Sequence, residues 1–302
     1  MVLLQSTFTC LLEVTLSADL RLEQVRKIDE GHGVYFGLSR MRDRVYAVAR
    51  NTDVNGQAVD PNYPTSTLIS IPERKHWAIP DTRGLHQIRC HDGLVWLMSC
   101  RDPELVAFDP KRSSVIGAIS LTPLVPRELQ HPIPPEHPTD RYHFNSLYFT
   151  EDRLYVLAHN WGHGSFALEL DYPGLDEFLR RPRVIRTHTG LGNHAHDIYV
   201  ERNRLHVLDS GNGRLLIADE QERPASTKDQ KQSFARGLAV NGEHFFIGHG
   251  SFAKREDRVT GPTQISVLDR QTLDVLAVVD VGSFGNPCDL LIVSERDWSD
   301  AR

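Results

Sequence analysis

The chain has 302 residues, with 34 Lys and Arg against 40 Asp and Glu, a formal net charge of -6 and a calculated pI near 6.2. That balance, with no long block of Lys or Arg, argues against a nucleic-acid surface, and no apolar run is long enough to span a membrane. The length is enough for a large buried core, and fifteen histidines are the unusual count.

Met1 to Leu4 is apolar but has neither a positive flank nor a sustained hydrophobic region, so no secretory signal is expected. Cys10, Cys90, Cys100 and Cys288 have no close paired spacing and suit a reduced, cytoplasmic compartment. In chain order, Met1 to Gln5, Thr9 to Leu16 and Leu20 to Ile28 predict three strands. Val34 to Gly37, Arg44 to Ala49, Thr67 to Ile71 and a short strand near Trp77 make a first unit, with a polar loop from Asn51 to Pro64. His86 to Cys90, a turn at His91-Asp92-Gly93, Leu94 to Met98, Glu104 to Phe108 and Ser114 to Ile119 repeat the pattern. The Pro-rich stretch from Pro123 to Pro138 is a loop. A third unit holds Phe144 to Phe149, Arg153 to Ala158 and Phe166 to Leu170, then a helical turn from Pro173 to Leu179. Asp197 to Val200, Leu205 to Leu208 and Arg214 to Ala218 form a fourth, followed by a charged loop from Glu220 to Gln232. Gly237 to Val240, Phe245 to Gly248, Gln264 to Leu268 and Leu273 to Val279 form a fifth. Cys288 to Val293 opens a unit that only the N-terminal strands can complete.

A register runs through these units. Six segments place a polar or reactive side chain, one spacer and then an aliphatic residue that opens an apolar run: His32-Gly33-Val34, His86-Gln87-Ile88, Asn145-Ser146-Leu147, His196-Asp197-Ile198, Arg236-Gly237-Leu238 and Cys288-Asp289-Leu290. The first members are 54, 59, 51, 40 and 52 residues apart. Six near-equal antiparallel units predict an all-β, six-bladed β-propeller over residues 1–302, closed by N- and C-terminal strands that share one blade. A two-sheet sandwich is the competing architecture, and it gives no reason for a sixfold register.

In a propeller the register residues open the innermost strands and converge on one mouth of the central channel. The loops after each second strand join the same face: Arg50 to Asp53, Cys100 to Asp102, His159 to His163, Asp209 to Asn212 and His249 to Ser251. A histidine taken singly is more often a hydrogen-bonded core or loop residue than a ligand. In a shared register, His32, His86 and His196 become the candidate metal ligands, because three neutral imidazoles leave coordination positions open. His143 and His194, each two residues before a register position, are further candidates for ligand or supporting roles. Arg236 is suited to a carboxylate, a phosphate or a developing oxyanion, or else to bridging blades. Cys288 is a candidate soft ligand, nucleophile or packing residue. Asp209 and His249 are candidate proton-transfer groups, with capping of the Ser210 to Gly213 turn as the other role for Asp209. Trp161 and Tyr142 offer an apolar wall.

The segments Asp140-Arg141-Tyr142-His143-Phe144-Asn145-Ser146-Leu147 and Phe234-Ala235-Arg236-Gly237-Leu238-Ala239 resemble motifs of a family of bacterial conserved hypothetical propeller proteins. More broadly, the architecture is similar to the six-bladed group that includes gluconolactonase-like and NHL-like proteins. The likeness runs from the second unit to the C-terminus and implies fold more than reaction. Gluconolactonase-like members bind a divalent metal mainly through carboxylates and amides, whereas this chain offers histidines at the corresponding height. The expectation is therefore an iron- or copper-dependent oxidoreductase acting on a small, anionic organic substrate, with zinc as the other metal to weigh. A metal-dependent lyase or hydrolase is the first alternative. The second is a non-enzymatic propeller that binds a peptide or protein through residues 51–64 and 252–262.

Overall fold

The computed structural model describes residues 1–51, 66–71, 73–79, 84–135, 139–218, 221–224 and 233–293. Its strands in chain order are β1 (Val2–Thr7), β2 (Cys10–Leu16) and β3 (Leu22–Glu30), then β4 (Val34–Met41), β5 (Arg44–Arg50), β6 (Ser66–Ile71) and β7 (Lys75–Ala78). Next come β8 (Leu85–His91), β9 (Leu94–Ser99), β10 (Glu104–Asp109) and β11 (Ser114–Ser120), followed by β12 (Phe144–Phe149), β13 (Arg153–Ala158), β14 (Phe166–Asp171) and β15 (Val184–His188). The last are β16 (His196–Glu201), β17 (Arg204–Asp209), β18 (Arg214–Ile217), β19 (Gln221–Pro224), β20 (Ser233–Val240), β21 (His244–Ser251), β22 (Thr263–Asp269), β23 (Val275–Gly282) and β24 (Pro287–Val293). A single α-helix among the described residues, α1 (Leu175–Arg180), falls where a helical turn is expected.

Each group of four is one antiparallel sheet, and β24 joins β1, β2 and β3 in the sixth. The result is a six-bladed propeller. Leu3 pairs with Ile292 and Leu4 with Leu291, so the two ends of the chain close the ring within one blade. Innermost strands β4, β8, β12, β16, β20 and β24 neighbour one another around the axis. Side-chain chemistry sorts the strands from inside to outside. The second strands are buried along nearly their whole length, and Leu94–Ser99 throughout, because both faces meet adjacent blades. Among the outermost strands, Leu22–Glu30 is largely exposed and rich in charge, and its Arg26 pairs with Glu13 at 2.9 Å. Charged side chains on that edge discourage pairing with another chain. The Asp92-Gly93 hairpin, with φ of 51° and 75°, is the expected tight turn.

The register has a structural cause. Every innermost strand breaks its pairing near its entry: between Tyr35 and Leu38, Leu85 and Ile88, Phe144 and Ser146, His196 and Ile198, and Ala235 and Leu238. In β24 the break skips Cys288. A bulge re-aims the side chains beside it, and here the repeated bulge falls at His86, Asn145, Arg236 and Cys288 and, in β16, at Asp197 directly after His196. The first member is corrected by the structure. The bulge in β4 is at Phe36-Gly37-Leu38, four residues beyond His32-Gly33-Val34. Gly37 is required there because a Cβ would stand 2.6 Å from the Ile88 amide nitrogen. His32 precedes the strand and lies against His76, ring centres 4.8 Å apart, and 3.8 Å from the Asp29 carboxylate.

Residues one place beyond the register stitch the blades together. Gln87 Oε1 accepts from the Leu147 amide at 3.0 Å, Asp197 Oδ2 from Gly237 at 2.8 Å and Asp289 Oδ2 from Leu38 at 2.9 Å. Gln87 Nε2 donates to Asp197 Oδ1 at 2.6 Å. Burial raises the Asp289 carboxyl from 3.8 to about 7; Arg89 works against the rise and the neighbouring Asp197 adds to it. Because the folded-state value is raised, the native state holds a proton the unfolded chain releases. That contribution is full below about pH 4 and is lost as pH rises through about 7. Urea midpoints should therefore decline between about pH 4 and 7 and level off above it, and the decline should flatten in Asp289→Asn. Parallel profiles for the two proteins would contradict this assignment.

Candidate metal centre

Three histidines meet at the mouth of the channel. His86 sits on the β8 bulge and His196 opens β16. His143 lies just before β12 in a turn that Asp140 clamps: Oδ1 accepts from the His143 amide at 2.8 Å and Oδ2 from Nδ1 at 2.5 Å. Donor nitrogens of the three imidazoles lie within 4.8 Å of one another. Ligands about 2.1 Å from a tetrahedral ion stand about 3.4 Å apart, so a small closure completes the site. The buried cluster could coordinate a metal. Cys100, Asp140 and His143 form an adjoining set, also within 4.8 Å.

Hydrogen bonds fix the ring tautomers. The His194 carbonyl can only accept, so His196 Nδ1, at 2.8 Å, carries the proton and leaves Nε2 with its lone pair. Ser210 Oγ lies 3.1 Å from the same nitrogen. Asp140 sets His143 in the same way, the carboxylate–histidine arrangement that orients metal ligands. Burial first, and then the Arg236 guanidinium, hold His86 and His196 well below the ordinary histidine range, so both are neutral at pH 7. At His143 burial opposes a charge, but Cys100 and Asp140 favour it and raise the imidazole to about 9. Burial also disfavours a Cys100 thiolate; His143 and Arg50 outweigh it and lower the thiol from its usual value. A metal binding through His143 would therefore displace a proton from it. Apparent affinity should rise about tenfold per pH unit from pH 7 and level off near 9. Calorimetric titrations at several pH values test this, and Asp140→Asn should move the plateau to lower pH. A flat profile from pH 7 to 9 would contradict it.

The imidazoles border a cavity of about 360 Å³. His159 and His194 line it too, with His194 Nδ1 2.5 Å from His159 Nε2, so one proton serves both rings. Trp161 completes this side and donates its indole N–H to the Asp140 carbonyl at 2.6 Å. Positive φ values recur here in residues other than glycine: His143 at 51°, Asn160 at 63°, Trp161 at 44°, His194 at 53° and Asp197 at 55°. Of these, His143, Trp161 and His194 line the cavity itself, and backbone held in this region is one device by which sites place side chains.

The other candidates fall in different places. Arg236 lines the cavity and donates from Nη2 to His86 Nε2 at 3.3 Å. Cys288 is buried among apolar side chains, and burial pushes its thiol up to about 12 despite Arg236, Arg50 and Arg258 nearby. Asp209 accepts from the Asn193 amide, the Asn212 side chain and Arg214, at 2.8, 2.9 and 2.8 Å. Its carboxylate thus ties a turn together and does not face the cavity. His249 bonds through Nδ1 to Ser233 Oγ at 3.1 Å and is not among the cavity-lining residues. Tyr142 packs inside the core between blades, and Asn145 is spent on the Ala195 carbonyl at 2.8 Å. His32 is not brought to the cluster.

No protein-family model matches the chain, and no curated protein sequence matches it either. Solved structures do match in shape. A chain in the crystal structure of a nidogen/laminin complex superposes with a TM-score of 0.64 at 8% identity, covering 96% of this chain and 97% of that one. A protein of unknown function from Bacteroides caccae gives 0.62 at 10% identity, with coverage of 96% and 97%. A protein from Lactobacillus plantarum gives 0.59 at 8%, with coverage of 97% and 100%. The likeness is one of fold.

Asp140 and Phe36 were not among the candidates drawn from the sequence, and Arg50, Cys100 and His159 appeared there only as loop members. A signal was present for Asp140: an acid three residues before His143 can close a tight turn onto it. Among the described residues no helix is long and apolar enough to cross a membrane.

Proposed function

We propose that the protein is a metal-dependent enzyme acting on a small organic substrate, with His86, His143 and His196 as ligands and iron or copper as the metal. The reading rests on one observation: two buried imidazoles and one half-buried one, with their donor nitrogens within 4.8 Å, at the edge of a cavity large enough for a small molecule. A redox-active ion held by imidazoles supplies electron-transfer chemistry with oxygen. The chain supplies the rest. Asp140 and the His194 carbonyl orient two of the rings. Arg236 offers fixed positive charge beside His86, and Phe36 and Phe234 exclude water from one wall.

A lyase or hydrolase using zinc is the second reading, favoured by the His159–His194 pair. Two rings sharing one proton at 2.5 Å can take a proton from a substrate and return it. Oxygen uptake by the metal-loaded protein in the presence of candidate organic acids separates the two. Consumption that depends on substrate supports oxidation; turnover that is unchanged under nitrogen supports the second reading. Of the surface required by a peptide-binding propeller, residues 52–64 lie outside the described residues.

A further inference from the structure

The wall beside the imidazoles is cationic and aromatic. Arg50, Arg236 and Arg258 line it together with Phe36 and Phe234, and no Asp or Glu lines it among the described residues. The Arg50 guanidinium carbon is 4.0 Å from the Phe36 ring centre; that of Arg236 is 5.8 Å from Phe36 and 5.7 Å from Phe234. Aromatic faces hold a guanidinium in place without cancelling its charge. Arg236 is only 5% exposed, and its buried Nε has no hydrogen-bond partner among the described residues. A buried cation in that condition is costly, and a bound anion relieves the cost. The same side chain reaches His86 Nε2 at 3.3 Å. One guanidinium therefore touches both the cavity and a candidate metal ligand, where its charge opposes a bound cation.

Building on the metal reading above, we propose that the cavity takes a small organic acid with a flat apolar body, its carboxylate on Arg236 and its ring against Phe36 and Phe234, and that acid and metal strengthen each other's binding through Arg236. A carboxylate draws the guanidinium toward itself and neutralises it, which favours a cation on the imidazoles. Linkage makes the effect reciprocal. Since Arg236 is in contact with His86, the atom offered to the metal lies one or two bonds from the carboxylate. The class narrows to acids substituted next to the carboxyl group, such as 2-hydroxy and 2-oxo acids bearing an aromatic ring.

Calorimetric titration of the full-length protein with cobalt(II), alone and with saturating benzoate, acetate or benzamide, tests the coupling. Benzoate should tighten cobalt binding about tenfold, acetate less, and benzamide, which has no charge, not at all. Arg236→Gln should bind cobalt more tightly than the native protein when no acid is present, and benzoate should no longer matter. Phe234→Leu, which keeps an apolar side chain, should retain the coupling and lose the preference for benzoate over acetate. Normal cobalt uptake that is indifferent to benzoate, or a benzoate effect of equal size in Arg236→Gln, overturns the coupling and leaves the metal reading standing. No cobalt uptake under any condition overturns the metal reading and the coupling with it.

Discussion

Replacing His143 by Ala should lower metal affinity by more than about a hundredfold, whereas His32→Ala should leave it unchanged. Loss of an orienting group beyond the ligands already costs about 10- to 100-fold, and His143 contributes more than orientation. It stands in both of the donor sets within 4.8 Å, with His86 and His196 on one side and Cys100 and Asp140 on the other. Its removal breaks both sets and leaves the Asp140 carboxylate without the 2.5 Å ring partner. His32 is the matched control: a histidine just before another innermost strand, β4, whose ring lies against His76. Competition with a chromogenic chelator measures both variants. Equal losses in the two would mean that the cluster at the channel mouth is not the site.

Asp197→Ala should lower stability by about 3 kcal/mol. The Asp197 carboxylate accepts from the Gly237 amide at 2.8 Å and from Gln87 Nε2 at 2.6 Å, inside a belt that joins four of the six blades. Ser146 Oγ accepts from the Asp197 amide at 2.8 Å, which extends the belt to β12. Truncation leaves two buried donors unsatisfied, each costing about 1–3 kcal/mol. Gly237, with φ of 86°, packs its Cα against the Asp289 backbone with no space for a Cβ. Asn at position 197 retains one carbonyl oxygen and should cost less than Ala. Urea denaturation followed by tryptophan fluorescence measures both, and a loss below 1 kcal/mol for Ala would contradict the role given to the belt.

The repeat was legible because a propeller imposes one geometric demand six times. Each innermost strand bulges at the channel mouth, and in five units the residue at the bulge or directly before it is His86, Asn145, His196, Arg236 or Cys288, followed two places on by an aliphatic residue. In the first unit the bulge residue is aromatic, Phe36, while His32-Gly33-Val34 four residues earlier carries the polar signature. Spacing alone could not separate them, because unit lengths vary by more than four residues. The blade shared by the chain ends was legible for another reason: three N-terminal strands lacked an opener and Cys288 to Val293 lacked followers. Contacts made across the channel were not legible. Arg236 meets His86 from 150 positions away, and whether Asp209 points to a cavity or ties its own turn depends on Asn193 and Arg214. A carboxylate at the end of a strand looks the same in both cases.

Elemental analysis of untagged protein, purified without added metal and compared with a His86, His143 and His196 to Ala triple variant, tests the central claim most directly. The account predicts about one iron or copper per chain in the native protein, lost in the triple variant while the thermal transition persists. Absence of bound metal together with no uptake on titration, or equal metal content in the two proteins, would contradict it.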